Sequence, residues 1–346
     1  MPMKAMVLKA PKTPLVLETV PDPVPGPGEV VAKVLACGAG LTIHHARAGR
    51  MILKKYPQIL GHEITAEIVA LGAGVTDPKI GDPVTAYFYI TCGHCHWCRI
   101  NRETLCDNLG GYIGRETDGG YAEFIKLPAR NCIRLPEGLD WRKHPAEAGV
   151  ICDAIATPIK VIRRARVTPH DTVAVFGAGG GLGVHMTKVA RWAHARKVIA
   201  VDVMASKFET CLKAGADATV DASDGRITEQ LMELTAGRGV DVAIDFVGKP
   251  EVLEAACAAL GKGGRLVALA GQGAGFRIDR EAQRKEAEIM GSRYATRQEV
   301  IDALDLVARG EIWPMVTEKV PLEQAEAVHQ RLDKGLVTGR AALMIG

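Results

Sequence analysis

The chain has 346 residues, more than one hydrophobic core usually spans, so two domains are expected. Its 47% hydrophobic and 24% charged residues exclude a disordered chain and a membrane-embedded one. The 43 basic and 40 acidic residues are scattered without a basic run, which argues against nucleic acid as a partner. The first ten residues alternate apolar and basic positions and run into Pro11, unlike a signal peptide, and no stretch is long and apolar enough to cross a membrane. Cytoplasmic residence is therefore expected. In that reducing compartment the nine cysteines read as metal ligands or buried thiols.

In chain order, Pro21 to Pro27 is an extended connector. From Val30 to Asn131 short β-rich runs such as Val30–Val34 and Ile64–Val69 alternate with Gly and Pro, the pattern of a mainly β domain with long loops. Within it, Cys92-Gly93-His94-Cys95-His96-Trp97-Cys98 is followed by Cys106. Two overlapping C-x2-C turns and a fourth sulfur suit a zinc ion, which takes four thiolates in a tetrahedron with bonds of roughly 2.3 Å. Four thiolates leave no open position, so such a zinc is structural. An iron–sulfur cluster is the rival for any four-cysteine set. His94 and His96 read as solvent-facing, and Cys132, Cys211 and Cys257 as buried apolar residues.

After Asp153 the pattern changes to apolar strands alternating with helices: Thr172–Phe176, Lys197–Val201, Asp241–Phe246 and Arg265–Ala270, each followed by a helical run. This alternation predicts βαβ units and a parallel sheet. Directly after Phe176 comes Gly177-Ala178-Gly179-Gly180-Gly181-Leu182-Gly183, then a helix. Glycines there permit a tight turn and the close approach of backbone N–H groups to a pyrophosphate. The spacing Gly177, Gly180, Gly183 departs from strict G-x-G-x-x-G. About 20 residues on, the second strand ends in Asp202, whose carboxylate suits a ribose 2′-OH and repels a 2′-phosphate, favouring NAD(H) over NADP(H). From Arg297 a helix, a strand near Met315–Val320 and another helix close the chain.

The four-cysteine loop, Gly61-His62-Glu63 and the glycine turn with its Asp, in this order, resemble the zinc-containing alcohol dehydrogenases of the medium-chain dehydrogenase/reductase superfamily. The likeness runs from Pro25-Gly26-Pro27-Gly28-Glu29-Val30 to Gly339-Arg340. It implies an α/β fold: a GroES-like, mainly β catalytic domain (1–152 and 295–346) and a Rossmann, doubly wound parallel-sheet domain (153–294). Substrate and nicotinamide would meet in the cleft between them. It implies cofactor contacts from Gly177, Gly180, Gly181, Leu182, Gly183, Asp202, Lys207 and Arg340. A small-molecule substrate and a homodimer or homotetramer also follow.

In that family a catalytic zinc is held by an early Cys, by the His of Gly-His-Glu and by a later Cys. His62 and Cys152 match two of these positions, and Glu63 matches a neighbouring carboxylate that binds zinc transiently. Gly40 stands where the first cysteine belongs, and Ile43 where an Asp supports the site. Both losses weaken a zinc site. Cys37 is a poor substitute, and Asp153 is an alternative oxygen ligand. Thr42 and His45 match the family's proton relay.

Two chemistries follow. In the leading one, a second zinc on His62, Cys152 and Glu63 or Asp153 polarises the substrate oxygen, and alcohol is oxidised with NAD. In the other no catalytic zinc acts, and NADH reduces an activated C=C bond, in an α,β-unsaturated carbonyl or enoyl thioester, through an enolate that needs only hydrogen-bond donors. A non-enzymatic NAD-binding protein is a third reading.

Overall fold

The computed structural model describes residues 2–270 and 275–346. They form two units, one built from the chain up to Ala156 with Ala295–Gly346, the other from Thr157–Tyr294. The first boundary lies after Ala156 rather than Cys152 because the helix Pro145–Val150 does not stop there. It continues through a π-helical turn, Ile151–Ile155.

In the first unit the long strand Glu29–Ala39 is the organiser. Glu63–Leu71 pairs antiparallel along one edge, and Phe124–Pro128 and Arg340–Met344 take different stretches of the other. Beyond these lie Pro83–Ala86 and Cys132–Arg134 on one side and Val316–Pro321 on the other. The register places Gly38 opposite Glu63 and Ala39 opposite Ala341. Three strand ends therefore bring Gly40, Glu63 and Arg340 together. Alternating inward residues such as Val30, Ala32, Val34, Ile64, Ala66 and Ile68 build the core beneath them.

The second unit is a six-stranded parallel sheet. Its spatial order is Ala218–Asp221, Lys197–Asp202, Thr172–Phe176, Val240–Asp245, Leu260–Ala268, Glu288–Gly291. Numbered along the chain this is 3-2-1-4-5-6, the doubly wound order, whose switch point lies between Thr172–Phe176 and Val240–Asp245. Every residue of Thr172–Phe176 is buried, as a strand covered on both faces requires.

A buried histidine of the first unit makes stability depend on pH. His329, on the helix Ala325–Asp333, is fully buried, and its Nε2 lies 3.0 Å from the Tyr121 hydroxyl. Burial first, then the nearby His44 and Arg47, bring its pKa down from 6.5 to about 3. A histidine depressed in the fold is protonated first in the unfolded chain, so stability is lost as pH falls through the unfolded value. From pH 7 to pH 5 the loss is about 2 kcal/mol. Thermal scans should show a falling melting temperature over this window, and a flatter profile for His329→Gln.

Candidate functional site

The four-cysteine lobe is built by short turns. Gly93 adopts φ +79°, a left-handed conformation that lets the chain reverse between Cys92 and Cys95. The one-turn helix His96–Arg99 then swings Cys98 back toward them. The sulfurs of Cys92 and Cys106 lie 3.5 Å apart, those of Cys92 and Cys98 4.0 Å, and those of Cys95 and Cys106 4.0 Å. Zinc with bonds of ~2.3 Å sets its sulfurs about 3.8 Å apart, so the four positions fit the ion. Hydrogen bonds from the backbone, that of His94 foremost, bring the Cys92 thiol down to about 5, whereas burial pushes Cys98 up to about 12. A bound cation evens out that difference by favouring the thiolate at all four. His94 and His96 are exposed beside the lobe.

The glycine turn follows its strand without a break. Gly177 takes φ +73°, and the N–H groups of Gly177 and Ala178 both donate to the Val201 carbonyl. A methyl on Gly183 would lie 2.6 Å from the Ala178 Cα and closer still to the Gly177 carbonyl oxygen, so only glycine allows the helix Gly183–Trp192 to start against the strand. Asp202 has a structural task as well as the expected one. Its Oδ2 accepts from the Gly179 N–H at 2.8 Å and its Oδ1 from the Met204 N–H at 3.1 Å, tying the turn to the second strand. A carboxylate has about four acceptor positions, so capacity for a ribose hydroxyl remains. The Lys207 stem packs where a side chain on Gly179 would go. Gly180, Gly181 and Leu182 complete the turn.

The third group lies at the three strand ends of the first unit. His62, Glu63 and Asp153, all buried, bring one ligand atom each within 4.8 Å of one another. Gly38 carries no side chain, and a methyl there would collide with the Glu63 carboxylate and Val150. Asp153 projects from the π-helical turn, a feature that often re-aims side chains at functional sites. The His62 ring packs against Phe88 at 4.2 Å between centroids.

Two expected residues are placed differently. Cys152, on the same π turn, directs its thiol to the Gly149 carbonyl at 3.3 Å and stands outside the ligand group. Arg340, expected at a cofactor phosphate, is 5% exposed and buried among carboxylates. Its Nε donates to Glu63 Oε2 and its Nη2 to Asp153 Oδ2, both at 3.0 Å, and Nη2 also to Glu63 Oε1. Burial opposes its charge, but Glu63 and Asp153 outweigh that and hold it protonated. Cys37 is packed against Gly61 and Gly120 and is no ligand.

Thr42 and His45 lie on a short helix, Leu41–Arg47, rather than in a loop, with Gly40 as its N-cap. Three apart, they share a helix face. Both are half-buried, and burial, with Arg50 and His44 adding to it, lowers the His45 pKa from 6.5, favouring the neutral imidazole.

These features match known proteins over the whole chain. Residues 26–137 match the family model described as the alcohol dehydrogenase GroES-like domain, and residues 181–309 that of the zinc-binding dehydrogenases. An NAD-dependent alcohol dehydrogenase of Sulfolobus acidocaldarius is 31% identical over 99% of this chain and 100% of its own length. An acryloyl-coenzyme A reductase of Metallosphaera sedula is 32% identical over 99% of both. The crystal structure of the alcohol dehydrogenase of Aeropyrum pernix superposes with a TM-score of 0.90 at 33% identity, covering 99% of each chain. The chain belongs to the zinc-binding alcohol dehydrogenases, the NAD-dependent oxidoreductases of the medium-chain superfamily.

Proposed function

We propose that this enzyme exchanges hydride between NAD(H) and a small alcohol–carbonyl pair. The observation that carries the reading is the convergence of one imidazole nitrogen and two carboxylate oxygens, from His62, Glu63 and Asp153, in a chain of this family. These donors suit a divalent ion, and when bound it supplies a Lewis acid for the substrate oxygen. His45, kept neutral by burial, can take up a proton, and the Thr42 hydroxyl can pass one on. The turn Gly177–Gly183 lines the pyrophosphate, Asp202 accepts from the adenine-side ribose, and Lys207 stands beside it. Cys92, Cys95, Cys98 and Cys106 hold the structural zinc. The cysteine lobe needs reduced thiols, which supports a cytoplasmic setting, and the family likeness supports a homodimer or homotetramer.

One observation favours a second reading, reduction of an activated C=C bond. The position of the family's first thiolate ligand, Gly40, has no side chain, and Arg340 fills the space beside it. Losing the Lewis acid costs several kcal/mol at an alkoxide, but less at an enolate whose charge is already delocalised. The test assays the purified protein on a primary alcohol with NAD and on an enone or enoyl thioester with NADH, each with added zinc or a mild chelator. Alcohol oxidation that rises several-fold with zinc and vanishes with chelator is expected. Enone reduction unaffected by chelator, with no alcohol turnover, would establish the second reading.

A further inference from the structure

We infer that the Arg340 guanidinium is the built-in cation of the His62–Glu63–Asp153 group, that it competes with a divalent metal for the same carboxylates, and that Gly40 is the residue that makes room for it. The inference rests on the same three donors as the alcohol reading and concerns how firmly they hold a metal.

The geometry is specific. A methyl on Gly40 would stand 2.9 Å from Arg340 Cζ, 2.9 Å from Nη1 and 3.0 Å from Nη2. Even a methyl at 40 therefore crowds the guanidinium in its present seat, which must shift to admit one. From that seat the guanidinium engages both oxygens of Glu63 and one of Asp153. The same Asp153 oxygen lies 3.7 Å from His62 Nε2, so the guanidinium already engages the carboxylate oxygen that a metal shared with His62 would take.

Charge points the same way. Two buried carboxylates with one guanidinium carry a net charge of minus one. A divalent ion added beside the guanidinium would turn that into plus one, with two cations close together in a water-poor site. An ion that displaced the guanidinium would leave the carboxylates exactly neutralised but strand a buried Arg. Either route weakens metal binding. A family thiolate at position 40 would both supply a ligand and push the guanidinium aside, and its replacement by Gly40 removes both effects at once.

The test counts metal and needs no turnover, so its failure is separate from failure of the alcohol reading. Protein carrying its four-cysteine zinc, free of cofactor, is titrated with Co2+ alone. Visible absorption and metal analysis after gel filtration are followed. Wild type should retain one metal per chain and take up Co2+ weakly. Arg340→Gln should bind it at least tenfold more tightly, and Arg340→Lys, which keeps the charge but not the fork, should fall between. Where Arg340→Gln leaves Glu63 and Asp153 too poorly paired to fold, Gly40→Ala serves instead. It disturbs the guanidinium without removing it and should also raise Co2+ affinity. A wild type that retains a second metal through gel filtration, or variants with unchanged Co2+ affinity, would overturn the competition.

Discussion

Gly183→Ala should lower the melting temperature by about 5 °C and weaken NADH binding roughly tenfold to a hundredfold. The added methyl meets backbone, the Ala178 Cα and the Gly177 carbonyl, and not the end of a side chain that could swing away. Relief requires the helix Gly183–Trp192 to back off from the strand Thr172–Phe176, and that movement carries its N-terminal N–H groups away from the pyrophosphate. Gly180→Ala is the internal control. Its methyl would meet only the Gly177 carbonyl oxygen, at 3.3 Å, a tight contact but far milder than that at Gly183, so the melting temperature should fall much less. Scanning fluorimetry of both variants, with NADH titrated by its fluorescence, separates the two effects. Equal melting temperatures would show that close backbone approach is not what this glycine provides.

Cys106→Ser should strip the protein of its tightly held zinc and make the segment from Cys92 to Cys106 sensitive to protease. A serine hydroxyl is a far poorer zinc ligand than a thiolate, and Cys106 is the ligand that closes the lobe across the chain. Its sulfur also accepts from the Cys92 N–H at 3.3 Å, so the start of the lobe loosens with it. We expect a fall in melting temperature of roughly 5–15 °C, with NADH affinity nearly preserved because the cofactor turn belongs to the other unit. Metal analysis, limited proteolysis and a cofactor titration read the three outcomes. Retention of about one zinc per chain in this variant would exclude the four-cysteine site as its seat.

Local features were legible where composition alone dictates conformation. The run Thr172–Phe176 followed by glycines reads as a buried strand and a tight turn, both present in the fold, and the close cysteine spacing reads as one group, which the four sulfurs form. The helix Leu41–Arg47 was not legible. Its seven residues include Thr42 and Ile43, both β-branched, and are too few for a helical period to show. The π turn left no trace because a shift of hydrogen-bond partner within a helix has no residue signature. Arg340 and Glu63 are separated by 277 positions, and only the register of Gly38 on Glu63 and Ala341 on Ala39 shows that they meet. That meeting gives Arg340, expected at a cofactor phosphate, two carboxylate partners in its own unit.

The same register has a consequence for how the protein is made. Ala39 receives its neighbour Ala341 only after the whole unit Thr157–Tyr294 has left the ribosome. At translation rates of about 5–20 residues per second, that intervening stretch takes roughly 7–30 s to synthesise. The parallel sheet, drawn from one continuous length of chain, can close during that time. The first unit must wait with a long strand unpaired along part of one edge and the Glu63 carboxylate without its arginine. An open edge of this kind invites pairing with another nascent chain. The order in which the domains are threaded thus exposes the chain to aggregation during synthesis in a way that the stability of the finished fold does not offset.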